Sequence, residues 1–199
     1  MKRNKSVKIH REHGIGKTNI IFFIMFVLLV FIDQAGKRAA FLFLRDSDIE
    51  LIPGVLELHY LENKGAAWGM MQNQTWILIA ITAIVLIVIA CVFFRLSNGR
   101  FSNGKFSNGR FSIGSCSLGN QFRFLRFCLV LLAAGAFGNL IDRVMNHYVI
   151  DFIYVSLIDF PVFNFADCFV SISAVLILYC ILFRYKDMDA EYPVQEKNE

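Results

Sequence analysis

A chain of 199 residues that is 56% hydrophobic and only 18% charged, with a mean hydropathy of +0.53, is too apolar for intrinsic disorder and for an ordinary soluble domain. Five cysteines, an odd number, exclude a disulfide-stapled secreted module. The net charge of +4 reports on topology rather than on nucleic acid, because of where the basic residues lie.

The first 18 residues carry six of them, Lys2, Arg3, Lys5, Lys8, Arg11 and Lys17. An apolar segment follows from Ile20 to Ile32 and continues past Asp33 and Gln34 towards Leu44. It ends in Asp-Gln rather than in a small-residue cleavage site, so it is expected to be a retained helix and not a removed signal peptide. The next stretch, Arg45 to Met71, sets only Arg45 and Lys64 against Asp46, Asp48, Glu50, Glu57 and Glu62. A second apolar segment runs from Trp76 to Phe94, with Thr82 as its only hydroxyl.

Residues 95–121 form a low-complexity connection containing the near-repeat LSNGR-FSNGK-FSNGR-FSIGS. Its Asn-Gly dipeptides favour turns, and it is expected to be a flexible linker. A third segment is uncharged from Phe127 to Ile141, and a fourth covers Phe160 to Phe183. Residues 185–199 make a polar tail. A helix needs about 20 mostly apolar residues to cross a hydrocarbon core of about 30 Å. Segments two and four satisfy this outright, and one and three do so with their ends included.

The expected fold is therefore all-α and membrane-embedded, one domain with four transmembrane helices. Basic residues concentrate in 1–18, in 95–126 and, with Arg184, Lys186 and Lys197, at the tail. The positive-inside rule places both termini and the middle connection in the cytoplasm.

With that topology the polar residues of the spans collect at the outer face. Asp33 and Lys37 close helix one, Asn139, Asp142 and Arg143 close helix three, and Asn164 and Asp167 open helix four. Asp151 follows in the short outer connection, and Asn63 and Gly65 lie in the long outer segment. Ionisable groups in spans are costly and mark function. A transport path would spread them through the bilayer, whereas these share one depth. A small transporter component or a non-catalytic assembly factor is the rival reading.

His10, His13, His59 and His147 show no metal-ligand spacing, so neither metal nor another cofactor is expected. No serine or cysteine has a histidine placed to activate it, and Cys168, beside Asp167, reads as packing, as do Cys91, Cys128 and Cys180. Paired carboxylates remain: one can act as acid and the other as base on a water and an amide. The candidates are Asp142, Asp151, Asp159 and Asp167, and spacing alone does not choose among them. Asp142 could equally pair with Arg143 at a helix end, and Asp159 could be the turn that starts helix four.

Five blocks, Asp33-Gln34-Ala35-Gly36-Lys37, Asn63-Lys64-Gly65-Ala66-Ala67-Trp68-Gly69, Gly138-Asn139-Leu140-Ile141-Asp142-Arg143, Val149-Ile150-Asp151-Phe152 and Phe163-Asn164-Phe165-Ala166-Asp167, resemble in order those of bacterial lipoprotein signal peptidase, the type II signal peptidase. The resemblance implies an intramembrane aspartyl endopeptidase with Asp151 and Asp167 as its catalytic pair. It gives Asp33, Lys37, Asn63, Gly65, Asn139, Asp142, Arg143 and Asn164 supporting or substrate-binding roles. It further implies a small extracytoplasmic β-cradle and a short helix in the first outer segment, and an inner-membrane location. The implied substrate is a prolipoprotein cut on the N-terminal side of a diacylglyceryl-modified cysteine, with membrane lipids as the other partner and a monomeric enzyme. Gly36 departs from the Thr or Ser expected there and is expected to loosen helix one. The Ser-Asn-Gly repeats lengthen a connection that is usually short.

Overall fold

The computed structural model describes residues 3–65, 71–97 and 122–184, and of 3–17 and 184 the backbone only. The low-complexity repeats, the tail and residues 66–70 of the second block lie outside the described residues.

Four helices are long and apolar enough to span a membrane. Helix α1 runs from Arg3 to Phe43, its apolar part being Thr18–Phe43. Helix α2 covers Thr75–Ser97 and α3 covers Arg123–Asn146. Helix α4 covers Phe165–Tyr179 and continues as a π-helical turn over Cys180–Arg184. The third span is 44% buried against 6–17% for the others, so α3 is the central post and packs against the other three. The outward faces carry Phe23, Phe31, Ile84, Ile87, Val175 and Phe183, all more than half exposed. That apolar surface suits hydrocarbon rather than water. Thr82 donates to the Leu78 carbonyl at 2.7 Å, which satisfies its hydroxyl inside α2.

A four-stranded antiparallel sheet caps one end of the bundle in the order β1-β2-β3-β4. Strands β1 (Ile49–Ile52) and β2 (Leu56–Asn63) come from the segment between α1 and α2. Strands β3 (Val149–Val155) and β4 (Phe160–Phe163) come from the connection between α3 and α4. The cradle is thus drawn from both connections, and not from the first outer segment alone. The fourth span begins at Phe165, not Phe160. Its first four apolar residues are β4, where Pro161 is tolerated because the strand lies at the sheet edge. Asp159 does form a turn (φ 48), but the turn leads into β4 and not into a helix. Around the strands, no helix occurs among the described residues between Leu44 and Gln74.

Sheet and bundle share a small core of Ala40, Leu44, Ile150 and Phe152, with Phe165 against it. Gly36 faces that core. A methyl group there would stand 2.7 Å from Phe165 Cε2 and 3.2 Å from Phe152 Cζ. The glycine therefore admits the edge-to-face Phe152–Phe165 pair, whose centroids are 5.1 Å apart. The expected loosening is not found: α1 is continuous through it, and close approach is the reason for the residue.

Candidate active site

Where the sheet meets the helices, buried and half-buried polar side chains from five elements converge. Asp33 and Lys37 are one turn apart on α1, and Asn139 and Asp142 nearly so on α3, so each pair shares a helix face. Lys37 Nζ lies 2.9 Å from Asp33 Oδ2 and 3.0 Å from Asp142 Oδ2, and donates to Asn139 Oδ1 at 2.8 Å. All four are buried. Asp33 Oδ1 also accepts from the Ala166 amide at 2.9 Å, and Asp142 Oδ2 from the Ile150 amide at 3.2 Å. The α1 and α3 carboxylates therefore tie the first turn of α4 and the start of β3 to the bundle. The alternative reading of Asp142, an ion pair with Arg143, is replaced by this pair with Lys37.

Gln34 belongs to the same group, and sequence reasoning misses it. Its Nε2 reaches Asp142 Oδ1 at 3.1 Å and the Gly138 carbonyl at 3.2 Å. Its neutral amide carries no charge signal, and only its place beside Asp33 in a polar block points to it.

Asn164 organises the other half. It is the N-cap of α4 rather than part of its face, with extended backbone, and it forms a capping box with Asp167. Its Oδ1 accepts from the Asp167 amide at 3.0 Å, and its own amide donates to Asp167 Oδ2 at 3.1 Å. Its Nδ2 donates to Asp151 Oδ1 at 2.6 Å. One buried asparagine therefore bridges the two aspartates. Asn139 Nδ2 donates to Asp167 Oδ1 at 2.8 Å, and Asn63 Nδ2 to Asp151 Oδ2 at 2.9 Å. Each carboxylate is oriented through both of its oxygens.

Gly65 and Arg143 act one step further out. The Gly65 amide donates to Asn63 Oδ1 at 2.9 Å, and Arg143 Nη2 donates to the Gly65 carbonyl at 3.2 Å. Of the four candidate carboxylates, Asp151 and Asp167 line one cleft of about 1420 Å³ together with Asn139 and Arg143. Asp142 is occupied by Lys37, and Asp159 is on the cleft's sheet side, where it accepts from Tyr154.

Burial pushes the Asp151 carboxyl from 3.8 up to about 7, and the like charge of Asp167 adds to the rise against the donors Asn63 and Asn164 and the Lys37 charge. A carboxyl so poised is half protonated near neutrality. Among the described residues no group of three or more His, Cys, Asp or Glu is placed to hold a metal. Cys168 lines the cleft beside Asp167, while Cys128 and Cys180 are buried away from it.

Residues 25–183 match the family model Peptidase_A8, signal peptidase (SPase) II. The lipoprotein signal peptidase of Streptococcus pyogenes serotype M1 is 29% identical over 162 residues, covering 81% of this chain and 92% of that protein. The protein of the same name from serotype M6 is 28% identical over the same shares. Two solved structures, each described as a bacterial membrane enzyme, are similar. One has a TM-score of 0.63 at 28% identity, covering 90% of this chain and 93% of its own. The other has a TM-score of 0.62 at 30% identity, covering 82% and 93%. With its polar cluster, its four spans and all but its ends within the matched region, the chain belongs to the signal peptidase II family.

Proposed function

We propose that the protein is an intramembrane aspartyl endopeptidase that removes signal peptides from prolipoproteins, with Asp151 and Asp167 as its catalytic pair. The observation that carries this reading is the bridge through Asn164, which gives two carboxylates of unequal surroundings a common cleft. Asp151, raised to about 7, is the protonated partner. Asp167, which accepts from Asn139 Nδ2 and the Asn164 amide, is the base. Asp167 takes a proton from water, and the oxygen attacks the scissile carbonyl. Asp151 gives its proton to the developing oxyanion. Asp167 then passes the proton it took to the amide nitrogen as the C–N bond breaks, and Asp151 recovers a proton from the gem-diol hydroxyl as the carbonyl re-forms. The pair titrates as a unit, so its acid and base limbs belong to both residues.

Lys37 with Asp33, Asp142 and Gln34 fixes the helix ends from which Asn139 and Asn164 reach the pair. Asn63, Gly65 and Arg143 fix the sheet side. The distribution of basic residues orients both termini and the repeats to the cytoplasm of a bacterial inner membrane and the cleft to the outer face. There a diacylglyceryl-modified cysteine can keep its acyl chains in lipid while the bond on its N-terminal side meets the aspartates.

The test is cleavage of a lipidated precursor by the detergent-purified protein. Asp151→Asn and Asp167→Asn should each lose about 10²–10⁴-fold in turnover while still binding substrate, since an amide keeps the shape but moves no proton. Either variant retaining more than about a tenth of the activity would remove that residue from the chemistry.

A further inference from the structure

The cleft has two chemically different halves, and Asp151 and Asp167 sit where they meet. On the helix side its wall is α4, with Cys168, Val170, Ser171 and Ile172. On the sheet side it is lined by His59 and Tyr154. Each of those rings is held by a carboxylate. His59 Nδ1 lies 2.8 Å from Asp48 Oδ1, and the Tyr154 hydroxyl donates to Asp159 Oδ1 at 2.7 Å. The ring centroids are 6.4 Å apart at a tilt of 55°. Asp159 holds Tyr154 from a left-handed conformation, φ 48, that a non-glycine residue rarely adopts. It is kept there by the hydrogen bond that its backbone N–H donates to the Ser156 carbonyl at 3.2 Å.

The sheet register sets the distance. Asp151 stands opposite Leu61, and Tyr154 opposite Glu57. Tyr154 is thus three positions beyond Asp151 on β3, about 10 Å along an extended strand. His59 lies where β2 shifts register against β3, between Leu58 and Leu61, and it lines the same cleft as Asn63 and Asp151. A substrate crossing this junction has only one favourable polarity. Its apolar signal helix stays with the spans, and the polar chain beyond the cut leaves over the sheet.

We propose that His59 and Tyr154 form a subsite for the second and third residues after the scissile bond, holding the departing chain extended across the two rings. Tyr154 and His59 are specificity-determining residues, and Asp159 and Asp48 position them. The proposal rests on the reading of Asp151 and Asp167 as the cleaving pair.

The experiment compares two lipidated precursor peptides, one continuing several residues beyond the modified cysteine and one ending there as an amide. On the long peptide, Tyr154→Ala should raise KM about three- to ten-fold with kcat within about twofold, as expected when one aromatic ring no longer takes part in uniform binding. His59→Ala should act in the same direction, and Tyr154→Phe should fall between native and Tyr154→Ala. On the short peptide all three should match the native protein, which also shows that they fold. Equal KM effects on both peptides, or none on the long one, would overturn the subsite. Failure of the unsubstituted protein to cut either peptide would instead overturn the peptidase reading on which it rests.

Discussion

If Asp151 is the acid of the proposed pair, one proton connects activity and stability. Its carboxyl titrates at about 7 in the folded chain against an ordinary 3.8, so the folded state binds that proton more tightly than the unfolded one. The stabilisation is complete below about pH 4 and is lost as pH rises through about 7. The native protein should therefore unfold at a lower temperature at about pH 8 than at about pH 5, beyond any slope shared with the rest of the chain. Asp151→Asn should flatten that part of the profile and unfold at a higher temperature than native at the alkaline end. Thermal unfolding in detergent across this range checks both, and equal slopes in native and variant would contradict the burial argument. Turnover, which in the proposed mechanism needs the Asp151 proton, should fall over the same alkaline interval. The carboxylates, the lysine and the asparagines of this site are legible in the sequence because ionisable groups are rare in spans and their depths can be compared once the helices are aligned. Their bonding is not. Asn164 and Asp167 are three apart whether both lie on a helix face or one caps the other, and only the extended backbone at Asn164 decides for the cap.

The contact between α3 and α4 sets the registration of the two aspartates, and Gly135 controls it. A methyl group at that position would run into the Ala166 carbonyl oxygen, and would lie 2.9 Å from Val170 Cγ2 and 3.2 Å from Phe169 Cβ. The obstructing oxygen is backbone, so the helices must separate rather than a side chain swing away. Gly135→Ala should cost about 1–3 kcal/mol of stability. It should also reduce turnover by about ten- to a hundredfold, because the Asn139–Asp167 bond of 2.8 Å spans the same contact and misplacement of a reacting group is costly. Native-like rate and stability in that variant would show that the interface adapts. The helices themselves are readable from the residues, since a lipid-facing helix must be apolar all round and that signal is long. The strands are harder. β3 reads VIDFIYV, mostly apolar without alternation, and β4 reads FPVF and merges into the apolar run of α4. Pro161 is the residue that argues against extending the helix back to Phe160.

At the scale of the whole molecule the two ends of the bundle are held by different means. The sheet-bearing end depends on buried carboxylates and amides. At the opposite end α1, α2 and α3 are joined by Asn19, which accepts from Ser97 Oγ at 2.9 Å and from Arg126 Nη2. The Arg126 guanidinium lies 4.7 Å from the Phe22 ring and 4.6 Å from the Phe93 ring, one on α1 and one on α2. This clasp is made by side chains of α1, α2 and α3, close in sequence to the described ends of α2 and α3 that flank the Ser-Asn-Gly repeats, Ser97 and Arg123. The registration of α2 on α3 is therefore set by the helices and not by the length of the connection. Shortening a flexible connection alters closure entropy slowly, by about 0.6 kcal/mol for each factor of two. Deleting Asn98 to Gly114 and closing with a short Gly-Ser linker should accordingly leave kcat/KM within about twofold and unfolding within a few degrees of native. Arg126→Ala in the shortened protein should lower stability much more than the deletion does, because it removes the clasp at all three helices. A shortened protein that inserts correctly and keeps its thermal stability, yet loses cleavage, would show that the repeats reach the reaction by a route other than holding the helices together.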